Sequence, residues 1–241
     1  MKLLNKKILI LGAGSEQLPA IIQSKKMGMY VIAIDKNKNA PGKKLVDKFV
    51  NNSITDFKKN LKVAKDFKAS SVITLCSDVA VPVVAKICEK LNIRGHSTQL
   101  AELATNKILM KKRFIERKIL TPDFTVVEKK KNILSFVKNK KFPFVLKPVN
   151  GFGQKGMFLI KNLKDIEKKI KISKESCTEK KCLIEKFHHG KEINVVAIVR
   201  NKKIKFLSLS IRKTNYKKNF GIAYEHIYPV SMLHIWCRVW D

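Results

Sequence analysis

Arginine is scarce in this chain, and so are acids, long apolar runs and paired cysteines. Of 241 residues, 51 are basic, yet only six of those are arginine; 19 are acidic, leaving a formal charge of +32. Such a charge raises the question of nucleic acid. Specific recognition of bases and phosphates leans on arginine, whose planar fork matches those groups. The lysines here are spread along the chain rather than gathered in a block. They read as a solvated surface, so no specific nucleic-acid partner is expected, only salt-sensitive attraction to polyanions. No apolar stretch reaches the length of a membrane span. The opening MKLLNKKILILGAGSE has an apolar run too short for a secretion signal. No membrane partner is expected, and the expected compartment is cytoplasmic. The five cysteines form no CxxC pair and their number is odd, which points to reduced, mostly buried thiols rather than a disulfide framework or a zinc site.

Hydrophobic residues make up 45% of the chain, enough for one large core or two modest ones. The first 95 residues alternate strand and helix. KKILILG (6–12) predicts a buried strand, Glu16–Gly28 a helix, and YVIAID (30–35) a strand ending in an acid. A short strand within 44–52, a helix capped at Thr55 or Asp56, strand SSVITLC (70–76) and a helix capped at Ser77 or Asp78 follow. This βαβαβ order implies a parallel sheet with helices on both faces. The stretch from Thr98 to Lys118 predicts a helical linker broken near Thr105-Asn106. Beyond it, strands at 124–127, 142–147, 156–161 and 182–187, helices near 131–139 and 163–172, and three strand-like runs to residue 230 read as α+β. The expected division is 1–95, a linker at 96–120, and a second domain at 121–241.

Two glycine loops compete as nucleotide sites. The first, Gly12-Ala-Gly14-Ser-Glu16-Gln17, joins a strand to a helix, and Asp35 ends the next strand, about where a ribose-binding acid belongs in a dinucleotide fold. The third glycine of that fingerprint is replaced by Gln17, and Glu16 puts a negative charge where a pyrophosphate would sit. The match to an NAD site is therefore partial. The second loop, Gly151-Phe-Gly153-Gln-Lys155-Gly156, joins two strands and lacks the GK[ST] of a P-loop. It reads as a flap whose bare backbone can approach phosphate oxygens, with Lys147 and Lys155 adding charge. Lys147 stands out by position, at the end of an apolar strand and before a proline that keeps the backbone extended.

Three stretches, TNKILMKKRFIERKILTPDF, FPFVLKPVNGFGQKGMFLI and LIEKFHHGKEINVVAIV, stand in the order and spacing of ATP-grasp enzymes, which the chain resembles over about residues 6–230. Its look is that of the carbamoyl-phosphate-synthase-like and phosphoribosylaminoimidazole-carboxylase-like ligases. The resemblance implies an α/β N-terminal parallel-sheet domain (pre-ATP-grasp, Rossmann-like) followed by an incomplete α+β ATP-grasp domain. It implies ATP as ligand: Lys107, Lys147 and, on a later strand, Lys213 toward the phosphates; Gly151, Gly153, Lys155 and Gly156 in the flap; Glu185, Lys186, Phe187 and His188 as the adenine hinge; Glu192 for the ribose hydroxyls. Gly14, Glu16 and Gln17 match the loop that faces the second substrate. The implied chemistry is ATP- and Mg²⁺-dependent ligation of a carboxylate to an amine through an acyl phosphate. The implied partner is a small-molecule substrate, and the implied assembly a homodimer.

Family members hold Mg²⁺ with late carboxylates and an asparagine. After Glu192 only Glu225 and Asp241 are acidic, and neither stands where those ligands belong, so no metal ligand is assigned. The first 218 residues contain 45 lysines and the last 23 none, while both tryptophans fall in the final six residues, WCRVWD. The expectation is a chain cut short or shifted out of frame near residue 231, which binds ATP without turnover. A non-catalytic nucleotide-binding remnant and an NAD-linked oxidoreductase remain as alternatives.

Overall fold

A computed structural model describes residues 3–151, 153–201, 203–214 and 220–228, the side chain of Arg200 excepted. It divides into two compact units: Met1–Thr121 with Val149–Phe152 and Cys177–Glu179, and Pro122–Pro148 with Gly153–Ser176 and Lys180–Asp241. The helical stretch read as a linker clusters with the first unit.

In the first unit β1 (Lys7–Leu11), β2 (Tyr30–Asp35), β3 (Lys48–Asn51) and β4 (Ser71–Thr74) form a parallel sheet in the order β3-β2-β1-β4. Side chains alternate across a strand. Leu9 and Leu11 therefore face one core with Ile32, Ile34 and Ile87, while Ile8 and Ile10 face a second with Ile21 and Val31. A strand buried on both faces reads as an unbroken apolar run, as KILIL does. Helices α1 (Leu18–Lys26), α2 (Phe57–Asp66) and α3 (Val81–Leu91) pack on the sheet, α4 (Thr98–Thr105) packs on α3, and α5 (Lys107–Glu116) on α4. The helix expected over Glu16–Gly28 is shorter, because Ser15–Gln17 forms a 3-10 turn ahead of α1. Asp56 caps α2 through the Lys59 N–H at 3.1 Å. The break between α4 and α5 also has a local cause: Asn106 Oδ1 accepts from the N–H groups of Ile108 and Leu109, so it starts a new helix.

In the second unit β5 (Phe124–Val127), β6 (Phe144–Pro148), β7 (Phe158–Ile160) and β8 (Cys182–Lys186) form an antiparallel sheet in the order β5-β8-β6-β7. Helices α6 (Lys130–Val137) and α7 (Ile166–Glu175) cover one face, packing Ile133, Ile166 and Ile170 on Phe144, Leu146, Ile160, Cys182 and Ile184. A further sheet, β11-β10-β9, is built from β9 (Glu192–Arg200), β10 (Lys203–Thr214) and β11 (Ala223–Ile227). Asn201, at φ +52°, supplies the left-handed residue that the tight β9–β10 turn requires.

The β9–β10 register puts Glu192, Asn194, Ser210 and Arg212 on one face, with the exposed Val196, Ile198 and Phe206 further along it. Ile193, Val195, Val199, Ile204, Leu207, Leu209 and Ile211 share the other, and the first five of these are exposed. Cys88, Cys177 and Cys182 are buried, as expected of structural thiols, but Cys76 is exposed just past β4 in a left-handed conformation, φ +51°. Cys237, the tryptophans and the lysine-free tail from residue 229 onward lie outside the described residues.

Candidate functional site

The first glycine loop is occupied by its own side chains. Gly12 N–H donates to Ile34 O at 2.8 Å, Ala13 N–H to Asp35 Oδ2 at 2.9 Å and Gly14 N–H to Gln17 Oε1 at 3.0 Å. Gln17 Nε2 reaches the Leu75 carbonyl at the end of β4. Gly12 takes φ +107°, and a Cβ there would stand 2.9 Å from Gln17 Cδ. Gln17 thus fills the space that a third glycine would leave open, and the three N–H groups a pyrophosphate would need are already paired. Asp35, the candidate ribose acid of a dinucleotide site, instead staples the loop by also accepting from Asn37 N–H at 2.8 Å. These contacts count against the NAD-linked alternative. Of the three residues matched to a substrate loop, Glu16 is exposed, Gly14 is half-buried and Gln17 is buried.

Also in the first unit, Lys107 opens α5. Its N–H donates to Val149 O at 3.0 Å and its ammonium to Gly151 O at 3.3 Å. The lysine therefore grips the start of the second glycine loop. The rest of that loop, Gly153–Gly156, belongs to the second unit. Gly153 and Gly156 take φ +60° and +70°. A Cβ on Gly156 would collide with Ser176 Cβ at 2.6 Å, whereas nothing stands within 4 Å of one on Gly153. Gly156 is thus needed for packing and Gly153 for backbone conformation alone. Lys155 is exposed.

Strands β6 and β8 carry the next group. Pairing sets Lys147 opposite Leu183 and Val145 opposite Glu185, so Lys147 and Glu185 are diagonal neighbours on the face away from α6 and α7. They form an ion pair, and their side chains are only 19% and 10% exposed. Lys186 lies on the opposite face, next to Phe144 in the register. Its ammonium lies 5.1 Å from the Phe144 ring centroid and donates to Lys141 O. Of the expected hinge, then, Glu185 directs its side chain to the Lys147 face and Lys186 does not. Phe187 packs edge-on to His189, with centroids 4.9 Å apart, and His188 is exposed.

At the polar end of that face of the β9–β10 ladder, Glu192 accepts from Arg212 Nη1 through Oε2 and from Thr214 Oγ1 at 2.9 Å through Oε1. Lys213 is not on this face. It stands opposite Glu225 in the β10–β11 register and pairs with it at 3.0 Å. The hydrogen bond to Glu225, and then the charge of that carboxylate, push the Lys213 pKa up. The lysine matched to the phosphates by the resemblance thus stands on the face opposite Glu192, where its neighbour Arg212 lies. Arg212 and Thr214 were missed by the sequence reading. One signal was available: Arg212 is one of only six arginines in a chain that otherwise uses lysine.

Among the described residues no group of three or more His, Cys, Asp or Glu side chains is placed to hold a metal ion. Mg²⁺ is commonly held by only one or two protein carboxylates beside substrate phosphates and waters; of the described late carboxylates, Glu192 is engaged by Arg212 and Glu225 by Lys213.

Compared with solved structures, the chain is similar to N5-carboxyaminoimidazole synthetase from Staphylococcus aureus, solved in complex with ADP, with TM-score 0.74 and 22% identity over 89% of this chain and 56% of that one. That likeness establishes the fold: a parallel α/β unit joined to an antiparallel lobe. The chain belongs to the ATP-grasp family, since residues 112–232 match the ATP-grasp domain. It is 36% identical over 146 residues to a D-alanine–D-alanine ligase of Pelagibacter ubique, covering 57% of this chain and 46% of the relative. It is 27% identical over 167 residues to a formate-dependent phosphoribosylglycinamide formyltransferase of Prochlorococcus marinus, covering 68% of this chain and 43% of the relative. The chain thus spans a little under half the length of these curated relatives. No helix among the described residues is long and apolar enough to cross a membrane.

Proposed function

We propose that this chain binds ATP and is the nucleotide-binding part of a ligase that joins a carboxylate to an amine. The observation that supports this most is the pairing in the second unit. A half-buried lysine and a buried glutamate face one way from β6 and β8, and a ribose-type acid is held by an arginine on β9 and β10. All lie within the span matched to the ATP-grasp domain. In this reading Lys107, Lys147 and Lys155 serve the phosphates, Gly151–Gly156 the flap, residues 185–188 the adenine and Glu192 the ribose. Glu16, exposed beside Gly14, faces the second substrate. The relatives' names speak of D-alanine and formate, both of which carry a carboxylate.

The reaction proposed for the whole protein has two steps. A carboxylate oxygen attacks the γ-phosphorus and ADP leaves, giving an acyl phosphate. An amine then attacks the acyl carbon, and phosphate leaves as the amine loses its proton. The described residues contribute to the first step by placing the triphosphate and offsetting its charge. Calorimetric titration with ATP and with NAD tests the reading. ATP should bind and NAD should not; tight NAD binding with no ATP binding would overturn it.

ATP binding without turnover is the alternative reading, one that the match to the ATP-grasp domain does not favour. It expects no hydrolysis from the purified chain. Steady Mg²⁺-dependent ATP hydrolysis would refute it.

A further inference from the structure

Three parts of the second unit converge on Phe220 and Gly221. The first is the hinge: the Phe220 ring lies tilted against Phe187, with centroids 6.1 Å apart. The second is the flap: Gly221 takes φ +81°, and a Cβ added there would run into Met157 Cε and stand 3.2 Å from Gln154 Oε1. The third is the ribose acid, reached through Arg212, whose Nη2 donates to Gly221 O while Nη1 donates to Glu192. A guanidinium is a rigid plane that offers donors in several fixed directions. Here one such plane ties a carboxylate to a turn wedged against hinge and flap. Thr214 holds the other oxygen of the same carboxylate, so a donor on each oxygen sets the carboxylate plane.

We infer that Arg212 is a positioning residue for the nucleotide. With Thr214 it fixes Glu192 in the orientation that receives the two ribose hydroxyls, and it clamps the Phe220-Gly221 turn beneath the flap. This rests on the ATP reading above. It assigns to Arg212 a task that Lys213, one residue on and on the opposite face, is not placed to perform. A lysine at 212 would keep the charge, but a single ammonium point lacks the fork that spans both acceptors.

The test compares ATP with 2′,3′-dideoxy-ATP by calorimetry on the full chain and its Arg212→Met, Arg212→Lys and Thr214→Val variants. Hydroxyls bonded to a charged acceptor should make ATP bind on the order of tenfold to a hundredfold tighter than the dideoxy analogue. In Arg212→Met that ratio should collapse to within about threefold, with the loss falling on ATP rather than on the analogue. Arg212→Lys should restore only part of the ratio; full restoration would mean that charge alone suffices and would overturn the clamp. Thr214→Val removes one hydroxyl and no charge, and should shrink the ratio severalfold. It decides the matter if Arg212→Met does not melt cooperatively. Absence of ATP binding to the unaltered chain would sink the ATP reading itself. A ribose preference that survives in all three variants would leave that reading standing and remove Arg212 from it.

Discussion

Replacing Lys147 perturbs two things at once, and the structure allows them to be separated. Lys147 and Glu185 pair where both side chains are largely out of water, and Glu185 as a residue is only 8% exposed. Lys147→Met leaves that carboxylate without its cation. Breaking a buried pair by removing one partner costs about 3–5 kcal/mol, because an uncompensated charge stays behind. Against a typical domain stability of about 5–15 kcal/mol this is a large share. Replacing both members by apolar side chains, Lys147→Met with Glu185→Leu, removes the orphaned charge and should return the stability to within about 1–2 kcal/mol of the parent. ATP affinity should behave differently. Loss of a charge-assisted contact should weaken it by about 1–3 kcal/mol in the single variant and leave it weakened in the double. The exposed Lys130–Glu167 pair, at 3.2 Å, serves as control, and Lys130→Met should cost less than about 1 kcal/mol. Urea denaturation gives the stabilities and calorimetry the affinities. If Lys147→Met is no less stable than Lys130→Met, the pair has been misjudged. If the double variant binds ATP like the parent, Lys147 is not a phosphate ligand.

Lys213→Met should leave ATP affinity within about twofold of the parent, whereas Glu192→Gln should weaken it about tenfold; equal losses in parallel titrations would contradict the facing of β10. Asp47 accepts from Val31 N–H at 2.7 Å and from the Lys25 ammonium at 2.6 Å. Burial raises its pKa, but the hydrogen bonds from Lys25 and Val31 and the charge of Lys25 outweigh this and hold it below the ordinary aspartate value. A folded pKa depressed in this way gives stability that is present above the unfolded pKa and lost as pH falls from about 4 through the folded value. Melting curves over that window should therefore show a smaller acid loss in Asp47→Asn than in the parent. Val195 and Val199, 58% and 61% exposed on the apolar face of β9, make that face prone to association. Val195→Thr with Val199→Thr should lower binding of a hydrophobic dye and raise solubility, with less than about 1 kcal/mol change in stability. A drop of several kcal/mol in denaturation would show that the face is covered in solution.

The sequence by itself determined the features that local physics controls. The doubly buried strand KILIL, the cap at Asp56, the break at Asn106 and the glycine loop after FVLK follow from alternation, capping chemistry and conformational freedom within a few residues. The ATP-grasp motifs stood in register along the same line of reading. Only the tertiary structure decided where the functional side chains point and what holds them. Glu185 meets a lysine 38 residues away, Gln17 a carbonyl 58 away and Glu192 an arginine 20 away. Each of these pairs depends on strand register or on loop packing, which adjacent residues do not encode. Arg212 and Lys213 show the reason most plainly. They are neighbours in sequence and both cationic, yet the pleat sends one to Glu192 and the other to Glu225, and a shift of one residue in the ladder would exchange them.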